Sequence, residues 1–245
     1  MNTPSNTVVG IHPVSEALSS DKEIDKILIA RDMASSEAMD IAKKAKEKDI
    51  PVQRVPKVKL DKLSNINHQG ILAFISPIAY VSIDDMIEEA QLKNEAPLLI
   101  ILDGITDTRN LGAICRTAEC MGAHGIIMPK NNSAPVTEGT IKSSAGAVLK
   151  LKLARVNHLL DAIYHLQASE VSVIAFTEKA NNTVDQIDID KKGVAIILGA
   201  EDKGIHQKLI KTADNHLKIR MFGSTDSLNV GVAAGMILYQ IRQKI

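Results

Sequence analysis

The chain has 245 residues, 45% of them hydrophobic and 24% charged, which is the composition of a folded globular protein of one large domain or a small and a medium one. Aromatic residues make up only 2% and Trp is absent, so the core is aliphatic and a platform of aromatic rings for stacked bases is argued against. The formal net charge is +0, so the total charge does not point to nucleic acid, and no apolar run approaches the length of a membrane span.

Residues 1–7 are polar and read as a loose start. Met1 to Gly10 lacks the long apolar run of a secretory signal, which makes the cytoplasm the expected compartment. A short apolar segment at 8–11 leads to Pro13, a residue suited to the first turn of a helix. A strand is expected at 27–30 and a helix from a Ser35 or Ser36 cap to about Lys48. Residues 50–55 read as an edge strand because Pro51 interrupts them. A helical turn at 60–63 and a strand at 70–75 complete a small α/β unit. Lys43, Lys44, Lys46, Lys48, Arg54, Lys57, Lys59 and Lys62 crowd this part of the chain. They could bind phosphate, but spacing alone favours a solvated helix face and loop.

Residues 79–96 are acidic, with Asp84, Asp85, Glu88 and Glu89, and are expected to form a linker, helical and packed rather than free. From Leu98 the pattern becomes strand and helix in alternation. Strands are expected at 98–102, 125–128, 149–153, 171–176, 194–198 and 216–219. Helices are expected at 110–121, 137–144, 156–167, 205–213 and 229–242. The run at 98–102 is wholly apolar, as in a strand buried on both faces. This alternation predicts an α/β fold with a mostly parallel sheet covered on both sides.

Ligands of such sheets bind beyond the C-terminal ends of the strands. Three loops rich in glycine and polar residues fall there: 103–112, 199–204 and 220–229. They carry no dinucleotide fingerprint, no phosphate-binding Gly-Lys-Ser/Thr and no hydrolase nucleophile elbow. Glu201 either orients a ligand or a neighbouring loop, or caps the helix after it. Arg116 interrupts a helix of small and apolar residues. It either reaches a phosphate with its planar fork or pairs with Glu119 one turn on. Ser227 is a candidate cap for the last helix. Cys115 and Cys120 lie on different helix faces, so they read as packing residues rather than a disulfide. The seven histidines show neither metal-ligand spacing nor a His–Asp pattern, so no neutral-pH base and no metal site is evident.

At these loops the sequence resembles the SpoU (TrmH) family of RNA 2'-O-ribose methyltransferases. The resembling segments are Asn110-Leu111-Gly112-Ala113-Ile114-Cys115-Arg116-Thr117-Ala118-Glu119, Ile196-Ile197-Leu198-Gly199-Ala200-Glu201-Asp202-Lys203-Gly204 and Ser227-Leu228-Asn229-Val230, with Ser143-Ser144-Ala145-Gly146-Ala147 between them. Gly10-Ile11-His12-Pro13-Val14 and His68-Gln69-Gly70-Ile71 resemble the family's substrate-binding domain, which is similar to ribosomal protein L30e. The resemblance implies an L30e-like RNA-binding domain at 1–78, a linker at 79–96 and a trefoil-knotted methyltransferase domain at 97–245. It implies S-adenosylmethionine as cofactor, RNA as partner and a homodimer through the second domain, with Val232, Ala233, Met236, Ile237 and Ile241 of the last helix as its surface or, alternatively, as core. The branch it most resembles is the 23S rRNA guanosine-2'-O-methyltransferases. A transfer-RNA enzyme, a silent RNA-binding protein of the same fold and an unrelated α/β nucleotide enzyme are the competing readings.

By the same resemblance Arg116, Asn110, Glu201, Ser227 and Asn229 are the catalytic residues. Thr177, Gly199, Ala200, Gly204, Ile219, Met221, Leu228 and Asn229 surround the cofactor. Three positions depart from the family pattern: Thr108 where proline is common, Gly231 where serine is common, and Gln240 where an acid is frequent.

Overall fold

The computed structural model describes residues 6–20, 22–186, 192–224 and 227–245. Most of the expected loose start, at 1–5, and Thr225 and Asp226 of the third loop lie outside the described residues. The chain divides into two compact units, one of residues 1–79 with 135–138 and one of residues 80–134 with 139–245.

The first unit contains β1 (Thr7–Val9), α1 (Ile11–Ser19), β2 (Ile24–Ala30), α2 (Ser36–Glu47), β3 (Val52–Val55), α3 (Lys57–Leu63) and β4 (Ile71–Ile75). Its sheet has the order β1-β4-β2-β3 and is mixed, since β4 runs antiparallel to both neighbours while β2 and β3 are parallel. β3 is an edge strand, as Pro51 implies. Ser35 is the α2 cap, its side chain accepting from the Ala38 N–H at 3.3 Å. The α3 helix is longer than the single turn expected. Val14, Ile27, Ile29, Ile41 and Ile71 fill one face of the sheet, and Leu28, Leu60 and Leu72 the other. All are aliphatic, as the scarcity of aromatics requires.

The second unit holds α4 (Ile83–Leu92), β5 (Leu98–Asp103), α5 (Thr108–Cys120), β6 (Gly125–Pro129), α6 (Glu138–Ser143), β7 (Leu153–Val156), α7 (Leu159–Ala168) and β8 (Ser172–Phe176). It continues with β9 (Asn182–Thr183), β10 (Val194–Gly199), α8 (Gln207–Thr212), β11 (Asn215–Lys218) and α9 (Val230–Arg242). Its sheet is β7-β6-β5-β10-β8-β11-β9, with every pair parallel. β5 and β10 occupy the centre, residue against residue from Leu98↔Val194 to Asp103↔Gly199. Both are apolar up to their last residue because both of their faces are buried.

Several expectations need correcting. Residues 149–153 are not a strand: a 3-10 turn spans Ala147–Leu149 and β7 begins at Leu153. The alternating Lys150 and Lys152 imitate strand periodicity, but both are charged flanks. The α7 helix starts at Leu159, not Val156, because 153–156 pairs with β6. β9 was not expected. Apart from these corrections, residues 80–96, expected as a packed linker, cluster with the second unit, where α4 is anchored by a reciprocal Ser82–Asp85 capping box and buries Met86, Ile87 and Ala90. Cys115 is buried and its thiol pKa is pushed up to about 12 by desolvation, but Cys120 is exposed rather than packed.

Three histidines face carboxylates, a pairing that spacing did not reveal. They are His68 with Asp61 at 2.9 Å, His165 with Asp84 at 2.7 Å and His124 with Glu95 at 3.4 Å. His124 is buried, and its Nδ1 accepts the Leu98 N–H at 3.0 Å where β5 begins. Burial lowers its pKa below the usual 6.5, and nearby Glu95 opposes that shift while Lys93 and Arg242 assist it. An unfolded chain takes up this proton near pH 6.5, while the folded one resists it. Stability is therefore gained above that pH and lost as pH falls through the window below it. Urea unfolding between about pH 8 and about pH 5.5 should show a smaller loss of stability in His124→Gln than in the parent chain, and equal losses would rule out this coupling.

Candidate functional site

The parallel order changes direction beside β5, which has β6 on one side and the later β10 on the other. Such a switch leaves a crevice at the strands' C-terminal ends. Asp103 closes β5 there, and its Oδ2 accepts the His206 N–H at 2.7 Å, tying the end of β5 to the loop after β10. His206 in turn caps α8 through Nδ1, which accepts from the Lys208 N–H at 3.3 Å. Glu201 is therefore not the cap of α8.

The loop after β10 folds back on itself. The Gly204 N–H donates to the Ala200 carbonyl at 2.8 Å, and the two residues form an isolated bridge. A Cβ on Gly199 would stand 2.2 Å from the Gly204 carbonyl carbon and 2.4 Å from the Ile205 nitrogen, so only glycine permits this return. Gly204 has φ +64°, and the space where its Cβ would lie is open.

The loop shapes one wall of a cavity of about 430 Å³. Thr177, Gly199, Ala200, Gly204, Ile219, Met221 and Leu228 all line it, as do Glu201 and Ser227. Its apolar surface includes Leu198, Ala233 and Ile237, the last two from α9. Asn229, Asn110 and Arg116 are not on this wall. Glu178, Lys179 and Lys218 line the cavity too and were not anticipated, although the ends of β8 and β11 obey the same strand-end rule.

At the edge of the cavity the three loops meet through side chains. Glu201 Oε1 accepts from Asn229 Nδ2 in a short bond and from the Val230 N–H at 3.3 Å. Asn229 Nδ2 also donates to Asn110 Oδ1 at 3.0 Å. Asn229, not Ser227, caps α9, its Oδ1 accepting the Gly231 N–H at 3.0 Å. Glu201 thus serves the start of α9, across 28 residues of chain. Asn110, Glu201 and Asn229 are brought together, while Ser227 shares only the cavity with Glu201.

Arg116 is exposed on α5 and has no bonded partner among the described residues. Its expected alternative partner, Glu119, instead meets Lys150 at 3.7 Å. The α5 helix begins two residues earlier than expected, capped by Asp107 onto the Arg109 and Asn110 N–H groups. Bonds from Arg109 hold the Asp107 carboxyl down to about 2. None of the His–carboxylate pairs lines the cavity, and the described residues contain no cluster suited to a metal ion.

Residues 97–239 match the model of the SpoU rRNA methylase family, and residues 7–81 match that of the RNA 2'-O ribose methyltransferase substrate-binding region. The chain belongs to the SpoU rRNA methylase family. It is an RNA 2'-O-ribose methyltransferase by this membership. A Staphylococcus epidermidis protein assigned to the TrmH family of tRNA/rRNA methyltransferases is 38% identical, with 97% of this chain and 95% of that protein covered. YacO of Bacillus subtilis, assigned to the same family, is 33% identical over 100% of this chain and 98% of its own. Among solved structures, AviRb of Streptomyces viridochromogenes in complex with AdoMet superposes with a TM-score of 0.60 at 23% identity, over 97% of this chain and 89% of that one. An AdoMet-bound rRNA methyltransferase of Sinorhizobium meliloti gives 0.60 at 24%, over 97% and 86%.

Two departures from the SpoU pattern have a local account. Thr108 opens α5 directly after its cap, a position proline tolerates because no intrahelical donor is needed there. Gly231 packs on α5: a Cβ there would lie 2.9 Å from Ala113 Cβ and 3.2 Å from Asn229 Oδ1. A serine would have to displace one of them. Nothing in the structure explains Gln240.

The close return at Gly199 is open to a direct test. Gly199→Ala should cost about 1–3 kcal/mol in urea unfolding, the usual penalty of forcing a methyl group into packed atoms. An unchanged midpoint would show that the loop does not need this approach.

Proposed function

We propose that the cavity beside Gly199 seats S-adenosylmethionine and that the chain methylates the ribose 2'-hydroxyl of a guanosine in 23S rRNA. The observation that carries the reading is the Glu201–Asn229–Asn110 junction at the cavity's edge, which joins the three loops the family resemblance singles out. The cavity suits the cofactor in kind. Leu198, Ile219, Leu228 and Ile237 offer an apolar surface for an adenine ring, and the Gly199–Gly204 turn lets backbone come close to a ribose. When bound, the cofactor supplies an electrophilic methyl carbon on a sulfonium.

The chain's own residues must align the hydroxyl and ease the loss of its proton. In this reading Asn110, Glu201, Ser227 and Asn229 hold the substrate ribose and the loop geometry. Arg116 binds the phosphate next to the target ribose. A guanidinium stays protonated far above neutral pH, so it is a poor base. Its part is to fix the phosphate with its planar fork and to favour the alkoxide electrostatically. The unpaired state of Arg116 leaves its donors available for that contact.

The finer architecture belongs to the same proposal. Residues 1–78 form an L30e-like RNA-binding domain, 79–96 a packed linker and 97–245 a trefoil-knotted domain. The entry of β10 between β5 and the earlier β8 supports the knot. A homodimer through α9 is supported by Val232, Met236 and Tyr239, which are exposed on that helix. Ile237 and Ile241, expected on that surface, are buried in the protomer itself. Cytoplasmic residence accords with the described helices, none of which is long and apolar enough to cross a membrane. The relatives' assignment to tRNA/rRNA methyltransferases supports transfer RNA as the second reading.

Arg116→Ala should keep its affinity for S-adenosylmethionine within about twofold by calorimetry and lose methyl transfer by about 10²-fold or more, the scale of a lost transition-state contact. Retained turnover on the cognate RNA would sink the role given to Arg116. Mapping ribose methylation in total RNA from cells with and without the gene identifies the substrate: a lost mark in 23S rRNA supports the first reading, and loss confined to transfer RNA replaces it with the second.

A further inference from the structure

The first unit contains a cavity of its own, of about 630 Å³, which the chemistry of the second unit does not use. It lies beside the turn at 64–70 that connects α3 to β4, and residues at and just after the end of β2 also line it. The turn is held in place from several sides. His68 is buried, and its Nδ1 accepts the Gly70 N–H at 2.9 Å. Its Nε2 therefore carries the proton, which it donates to Asp61 Oδ1 on α3 at 2.9 Å. Gln69 adopts φ +48°, and its side-chain oxygen accepts the Ile11 N–H at 3.3 Å, where α1 begins. This contact joins the two N-terminal motifs, 10–14 and 68–71, across 58 residues. A wall fixed in this way holds its shape before any ligand arrives.

The lining has a consistent chemistry. Ile66 is 60% exposed on the turn, and Met33, a partly buried side chain, also lines the cavity. These are apolar surfaces for a flat ligand. Asp32 lines the cavity, is exposed and has no bonded partner among the described residues. Its carboxylate is an acceptor for two N–H groups side by side. Asp61 adds a second carboxylate, so a phosphate inside would be repelled. Lys57, exposed and without an ion pair among the described residues, also belongs to the lining. Lys59 and Lys62 follow it on α3, likewise exposed.

Acceptors and apolar faces within, with lysines beside them, fit a nucleotide whose base points in and whose phosphate stays out. Proteins read RNA sequence chiefly on unpaired bases, through their pairing edges and faces. Guanine presents a ring N–H and an amino group next to each other on that edge, the pair of donors that one carboxylate accepts. We propose that this cavity receives one unpaired nucleobase of the RNA, guanine by preference, with Asp32 on its pairing edge and Lys57 on the adjoining phosphate. The proposal rests on the reading of the chain as an RNA-modifying enzyme and concerns how the substrate is held, not where it is methylated.

The test uses the full chain and fluorescently labelled uridine oligonucleotides of about 12 residues with a single central G, A, C or U, read by anisotropy. The parent protein should bind the G-containing probe at least about fivefold more tightly than the all-U probe, a modest one-base discrimination. Asp32→Asn should bring the probes within about twofold of one another, because an amide offers only one acceptor in place of two. Lys57→Ala should weaken every probe alike and flatten the dependence on salt. Both substitutions are at exposed positions, and thermal melting verifies that the variants fold. Equal affinities for all four probes in the parent protein, no measurable binding, or an undiminished preference in Asp32→Asn overturns the proposal. Methyl transfer from radiolabelled S-adenosylmethionine to total RNA, measured on the same preparation, keeps the two readings apart. Transfer without base preference removes the pocket and leaves the enzyme. Base preference without transfer does the reverse.

Discussion

One carboxylate organises the second unit's site. Glu201 takes an amide N–H of Asn229 and the backbone N–H of Val230 on a single oxygen, so the first turn of α9 is held by a residue from the loop after β10. A helix start has unsatisfied N–H groups and a partial positive charge, and an acidic side chain answers both. Asn229 extends the junction to Asn110 near the start of α5. The position of α9 follows from these bonds, and so does its packing on α5, where Gly231 rests against Ala113. Ala233 and Ile237, two turns or less along α9, then form part of the cavity lining. Cavity shape and the placing of the polar groups at its edge therefore share one origin.

How far this was legible in the sequence depends on the range of the interaction involved. The apolar runs of β5 and β10 identify the central strands directly, because burial on both faces leaves no other pattern. The strand-end rule locates the three loops correctly, since it depends only on chain direction. Local chemistry was less reliable where two codes overlap. Lys150 and Lys152 imitate an alternating strand, and Asp107 starts α5 earlier than its apolar stripe suggests. Contacts between distant segments were not legible. Glu201 reads equally as the holder of a ligand or neighbouring loop and as the cap of the helix next to it, and the bonds that decide between these come from 28 and 29 residues away. The His165–Asp84 pair spans 81 residues. The reaction itself came from family resemblance, because neither the cavity's glycines nor its aliphatic lining specify methyl transfer.

The zero net charge of an RNA enzyme needs a physical account, and the way its charges are paired supplies one. In the second unit Asp84, Asp85 and Glu89 of α4 are engaged locally. Glu89 contacts Lys93 and Lys152, which hold its carboxyl down to about 2, and Asp84 contacts His165. A carboxylate paired with lysines, as Glu89 is, contributes little field beyond its own neighbourhood. In the first unit Lys57, Lys59 and Lys62 have no ion pair among the described residues. Salt screens exposed charges over about 10 Å at 0.1 M, so a phosphate near α3 responds to those lysines and not to the sum over the chain. A protein of this kind gains attraction at one surface without the general affinity for nucleic acid that a high net charge brings. Recognition must then depend more on shape and on base edges, which is consistent with carboxylates and an exposed isoleucine, rather than a dense basic patch, lining the cavity of the unit that matches the family's substrate-binding model.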